Sequence, residues 1–137
     1  MPTYEWYQQL IKPSWSPPAW LFGPVWTVLY VLIVISFGKV FLLAWQKQIG
    51  LMVALPFALN IIFNLIFTPI QFGLKSNGLA ALDILLVLAT LIWAMLALRS
   101  LGEAGLAWII YVNIPYLLWV SFATILQLTI TYLNVHK

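Results

Sequence analysis

Charge is confined to a few points of this chain, and the gaps between them are as long as a membrane is thick. Asp, Glu, Lys and Arg occur only at Glu5, Lys12, Lys39, Lys47, Lys75, Asp83, Arg99, Glu103 and Lys137, so residues 13–38, 48–74 and 104–136 carry none. A helix needs about 20 mainly apolar residues to cross a hydrocarbon core about 30 Å thick. The chain is 64% hydrophobic and 7% charged, whereas a soluble domain is about 25% charged. It reads as a multi-pass integral membrane protein.

Four spans are expected, at about 20–45, 51–72, 79–98 and 104–133, with residues 1–19 as a loop before them. Lys39, inside the first span, has a stem long enough to snorkel to the interface. The links at 46–50, 73–78 and 99–103 are short, which forces neighbouring spans to run antiparallel. The expected fold is an all-α, four-helix, up-down-up-down bundle forming a single membrane domain, 1–137. A membrane barrel would need strands of about ten residues with alternating polarity, and these runs are apolar all round. The N-terminal MPTYEWYQQL lacks the basic and apolar regions of a cleavable signal peptide. Lys12, Lys75 and Lys137 fall on one side and Lys39, Lys47 and Arg99 on the other, so the positive-inside rule assigns no orientation. Nor do these residues specify which membrane holds the chain.

Conventional catalysis has little to work with. There is one histidine, His136, and no cysteine. No carboxylates lie close together in a span, and no phosphate loop or metal-ligand spacing is present. No metal site is expected. The net charge of +3 is too small and scattered for nucleic acid. Asp83 is the one carboxylate inside a span, with three roles open to it: a partner for Lys75, a proton relay, or a cap that compensates the helix dipole. Its place near the start of the third span favours the cap. Leu128, Tyr132 and Lys137 satisfy a loose sterol-contact pattern and read as an interfacial anchor.

Three spans carry aromatic stripes at helical spacing: Trp26, Tyr30, Ile33 and Phe37; Pro56, Asn60, Phe63 and Phe67, with Asn64 beside them; and Tyr116, Trp119, Ala123 and Gln127. Such faces suit either of two roles. One is an intramembrane pocket for a flat apolar molecule. The other is packing, with Asn and Gln joining helices at about 0.6 kcal/mol per hydrogen bond. Pro115 is expected to bend the last span. Ahead of the first span stands WYQQLIKPSWSPPAWLFGPVWTVLY, residues 6–30, where prolines at 13, 17, 18 and 24 exclude helix over most of the segment. It is either an aromatic belt at the headgroups or a lid over a pocket.

That string, the Leu59-Asn60 and Phe63-Asn64 pairs, and PYLLWVSFATILQLTITYLN at 115–134 resemble the TspO/MBR family, the tryptophan-rich sensory proteins, translocator proteins and peripheral-type benzodiazepine receptors. The resemblance implies a receptor or sensor that binds porphyrins such as protoporphyrin IX or haem, and sterols in some members, with no obligatory cofactor. It implies a lid bearing Tyr7, Trp15 and Pro17. The pocket would be lined by Trp26 and Tyr30, by Asn60, Phe63 and Phe67, and by Trp119, Phe122 and Ala123. Delivery or light-driven removal of porphyrin follows as the role, and any enzymatic activity would be limited to that photochemistry, with Trp26 and Trp119 as electron donors. The alternative is a structural membrane subunit without a ligand. The family's pattern also has a helix before the WY pair, where this sequence has only residues 1–5. Phe63 stands where Trp is common and Gln127 where Asn is common. The expected bundle therefore resembles helices two to five of a five-helix fold, open to lipid beside its first and fourth spans or covered there by a second copy.

Overall fold

The computed structural model describes residues 10, 12–17, 19–70 and 77–134. They form α1 (Ala19–Trp45), α2 (Leu51–Thr68), α3 (Asn77–Ser100), a single 3₁₀ turn (Ala104–Leu106), α4 (Ala107–Val112) and α5 (Ile114–Leu133). There is no strand among the described residues. α1, α3 and the stretch Ala104–Leu133 are each long and apolar enough to cross a membrane, and α2 is a shorter apolar helix. The protein is an all-α membrane bundle of four helical segments. At 27 residues, α1 is about 40 Å long and outreaches the hydrocarbon core.

The last segment breaks at Asn113, and the break has a local cause. Pro115 has no N–H to return to the carbonyl four residues earlier, and its ring strains the helix before it. Asn113 compensates: its Nδ2 donates to the Ile109 carbonyl at 2.8 Å and to Ser36 Oγ of α1 at 3.0 Å. The bend is thus tied to a neighbouring helix.

α3 packs most extensively, against α2 on one side and α5 on the other. The core runs through Ile33, Phe37, Phe57, Ile84, Val87, Leu91, Ile109, Tyr116 and Val120. Phe37 meets Phe57 edge-on, with ring centroids 4.9 Å apart. Outside it, Val34, Leu65, Leu96 and Leu118 are exposed, a surface that suits lipid. Trp20 and Tyr132 are exposed at one end of the bundle and Trp45 and Tyr111 at the other, as befits interfacial anchors.

α1 ends with paired bonds from Lys47 N–H to the Ala44 carbonyl and from Gln48 N–H to the Leu43 carbonyl, the Schellman arrangement. Lys47 occupies the left-handed position, at φ 60°, where a Cβ is disfavoured. After α3 the same role falls to Gly102, at φ 66°. Lys47→Gly is expected to stabilise the protein by about 1 kcal/mol, and Gly102→Ala to destabilise it by a similar amount. Unfolding in mixed micelles measures both; equal signs for the pair would refute the assignment.

Candidate functional site

The site begins where the chain enters the bundle. Pro13 and Ser16 close a turn, with Ser16 N–H donating to the Pro13 carbonyl at 3.1 Å. The turn sets Trp15 against Phe122 of α5, ring centroids 5.7 Å apart and edge-on. Leu10 packs with Phe22 and Phe122 on Leu126 and Ile130. The segment therefore lies over the start of α1 and the second half of α5. Partial burial holds the Lys12 amine below its ordinary pKa. Pro17 is partly buried beside this turn, and Tyr7 lies outside the described residues.

Beneath the turn the aromatic rings form a continuous series. Phe122 packs on Trp119 at 5.7 Å, and Trp119 on Phe22 at 5.8 Å. One turn further along α1, Trp26 packs on Tyr30 at 5.5 Å and on Tyr116 at 6.3 Å. The Trp119 indole nitrogen is buried without a hydrogen-bond partner. Buried indole N–H groups usually find one, so this donor is notable.

Below the rings a file of hydrogen bonds crosses all four segments. The Tyr30 hydroxyl donates to Asn64 Oδ1, Asn64 Nδ2 to the Tyr116 hydroxyl, and that hydroxyl to Asn60 Oδ1, each at 2.8 Å. Asn60 Nδ2 donates to the Val87 carbonyl at 2.9 Å and to Thr90 Oγ1 at 3.2 Å. Every donor is used head to tail, an order in which each bond polarises the next. Asn60 and Tyr116 are fully buried.

Asp83 behaves otherwise. It lies in the second turn of α3, beyond any capping position, and α3 has no acidic residue in its first turn, so the expected capping role is not met. It is 3% exposed, and neither carboxylate oxygen has a hydrogen-bond partner. One turn before Val87 on the same face, it is within electrostatic reach of Tyr116.

The helices also leave a cleft of about 330 Å³ between α1 and α2, with Tyr30, Asn60, Asn64 and Tyr116 at its floor. The sequence placed an opening beside the first and fourth spans. Phe22–Trp119, Trp26–Tyr116 and Asn113–Ser36 join α1 to the last segment, and the cleft lies on the other flank of α1.

The structure brings Trp15, Trp26, Tyr30, Trp119 and Phe122 into one group, and Asn60 joins it through Tyr116. Phe63, Phe67 and Ala123 are partly buried against the main core. Phe22 and Thr90 were not anticipated. Phe22 stands four residues before Trp26 and was legible as part of that stripe; Thr90 carried no signal, since its role depends on Asn60 lying opposite. No cluster of three His, Cys, Asp or Glu suited to a metal exists among the described residues.

A sequence profile of the TspO/MBR family matches residues 1–133. The tryptophan-rich protein TspO of Chlorobaculum tepidum is 37% identical over 133 residues, covering 97% of this chain and 82% of the relative. The tryptophan-rich protein TspO of Bacillus cereus is 38% identical over 129 residues, 94% of this chain and 80% of the relative. The tryptophan-rich sensory protein of Cereibacter sphaeroides is 35% identical over 134 residues, 95% of this chain and 77% of the relative.

Proposed function

The chain belongs to the TspO/MBR family and is a membrane protein of its sensor and receptor type, and we propose that it binds a planar, largely apolar ligand of the porphyrin class among Trp15, Phe22, Trp26, Trp119 and Phe122. One observation carries the reading: the Trp119 indole N–H is buried in an aromatic cluster with no acceptor. A protein that only packed helices here gains nothing from an unmet donor. A flat ligand with carboxylates at its edge, such as protoporphyrin IX or haem, supplies stacking area to the rings and an acceptor to the indole. The Trp15 turn then serves as lid, and in this reading Trp26 and Trp119 give an electron to an excited porphyrin.

Titrating the detergent-solubilised protein with protoporphyrin IX while following tryptophan fluorescence tests this. Saturable quenching is expected, with affinity about tenfold weaker in Trp119→Phe, which keeps an aromatic ring, though a smaller one, and removes the donor. Quenching that never saturates, or that is unchanged in the variant, would refute the site. Illuminating the complex tests the photochemical role, which an unchanged porphyrin spectrum would dismiss.

The competing reading, a structural subunit, draws on a different observation: the Tyr30–Asn64–Tyr116–Asn60 file is satisfied throughout and already joins every segment. It requires a stable hetero-complex and no porphyrin binding, and cross-linking in native membranes reads out the first.

A further inference from the structure

The turn that carries Trp15 also carries polar groups. The Ser16 hydroxyl is buried there with no hydrogen-bond partner. Lys12, at the foot of the same turn, is half-buried. We propose that this turn recognises acids: the Lys12 ammonium and the Ser16 hydroxyl hold a carboxylate at the edge of the bound ligand, so that planar acids are taken in preference to their esters. This selectivity belongs to the ligand site proposed above and rests on that reading.

Chain geometry puts Lys12 in position. On one side of it Leu10 packs with Phe122 on Leu126 and Ile130, and on the other Trp15 meets Phe122 edge-on at 5.7 Å. Consecutive Cα atoms are about 3.8 Å apart, so the Lys12 Cα lies within about 8 Å of that of Leu10 and about 11 Å of that of Trp15. The lysine therefore stands at the rim of the ring series that runs from Phe122 to Trp119 and Phe22. Its flexible four-carbon stem lets the ammonium reach the edge of a molecule stacked there.

Charge selects an anion. Lys39, Lys47, Arg99 and Glu103 lie toward the opposite end of the bundle, and Asp83 is buried on α3. Among the described residues Lys12 is thus the one cation at the end that holds the ring cluster. Partial burial already works against its charge, and a carboxylate beside it offsets the lost hydration. The Ser16 hydroxyl can donate to the same carboxylate, and a hydrogen bond to an ionised acceptor is stronger than one between neutral groups.

The Trp119 indole N–H, buried without an acceptor, completes the set. An ammonium, a hydroxyl and an indole N–H around one group of rings match a flat molecule with two acids on one edge, as in protoporphyrin IX. A neutral ester offers the hydroxyl and the indole a carbonyl but gives Lys12 no counter-charge. A hydrocarbon satisfies none of the three. A lipid phosphate is the competing partner for a lysine near the interface, and the experiment separates the two.

The test titrates the full chain in a nonionic detergent with protoporphyrin IX and with its dimethyl ester, followed by tryptophan fluorescence. The quantity compared between variants is the ratio of the two affinities, so unequal partition of the porphyrins into micelles cancels. Lys12→Met keeps the apolar stem and is expected to weaken the acid about fivefold while leaving the ester unchanged. Lys12→Arg keeps the charge and is expected to hold the acid within about twofold of the unmodified protein. Ser16→Ala is expected to weaken both porphyrins about threefold, since both present an oxygen to the hydroxyl. A ratio unchanged in Lys12→Met would overturn the proposal and leave the lysine to lipid phosphate. So would a loss of ester binding as large as that of the acid, the mark of a lysine that only shapes the turn. Unchanged affinities in Ser16→Ala would remove the hydroxyl from the site. If neither porphyrin quenches saturably, the ligand site and its acid selectivity both fall; saturable quenching with an unchanged ratio removes the selectivity alone.

Discussion

Tyr116→Phe will destabilise the protein by about 2 kcal/mol, and Tyr30→Phe by only about 0.6 kcal/mol. The two substitutions delete the same atom, so the contrast isolates position in the hydrogen-bond file. The Tyr116 hydroxyl accepts from Asn64 and donates to Asn60. Removing it leaves a buried amide donor and a buried amide acceptor without partners at once. Tyr30 stands at the end of the file, on the half-open side beside the cleft, and its loss leaves only Asn64 Oδ1 unmatched. Membrane hydrogen bonds average about 0.6 kcal/mol because the unfolded chain in lipid also finds partners. The larger figure for Tyr116 therefore rests on its double role. In an Asn60→Leu background the cost of Tyr116→Phe is expected to fall by about 1 kcal/mol, since one of its two partners is already gone. Mixed-micelle unfolding of the four proteins in that cycle and of Tyr30→Phe provides the measurement. Equal costs for the two tyrosines, or no coupling to Asn60, would show that the file does not act as a unit.

That file marks the boundary of what could be read in the residues. The apolar lengths between charges determine how many helices the chain makes, and short links determine that neighbours run antiparallel; both are one-dimensional properties. The stripe through Asn60 was legible because its members share a helical face. Its partners were not, because Thr90 and the Val87 carbonyl meet Asn60 only once α2 and α3 are packed. Asp83 shows the same limit. A carboxylate near the start of a span reads as a cap, but capping depends on which residue begins the helix, and α3 begins at Asn77. The ring contacts between α1 and α5 show the same limit. Nothing in the periodicity of Phe22, Trp26 and Trp119 says that Phe22 will meet Trp119 while Trp26 meets Tyr116, the contacts that link α1 to α5.

Asp83→Val is expected to make the ligand-free protein more stable and a poorer receptor. A buried polar group with no hydrogen bond costs about 1–3 kcal/mol in mutational series, and both oxygens of Asp83 are in that position. Valine has one side-chain heavy atom fewer, although its methyl groups make it somewhat bulkier, and it removes the unmet group. A gain of about 2 kcal/mol follows. Residues that destabilise a fold in this way are retained where activity needs them. The carboxylate sits one turn from the Val87 carbonyl that anchors Asn60 and within electrostatic reach of Tyr116, on the interior side of α3. A donor on the bound ligand would satisfy it, as an acceptor would satisfy Trp119. Affinity for protoporphyrin IX is accordingly expected to fall about tenfold in the variant. The two readouts separate the possibilities. Lower stability would mean that Asp83 has a structural partner in the membrane. Higher stability with unchanged affinity would place the ligand away from Asp83. Only the opposite movement of stability and affinity supports a site whose polar groups are kept unmet for a ligand to complete.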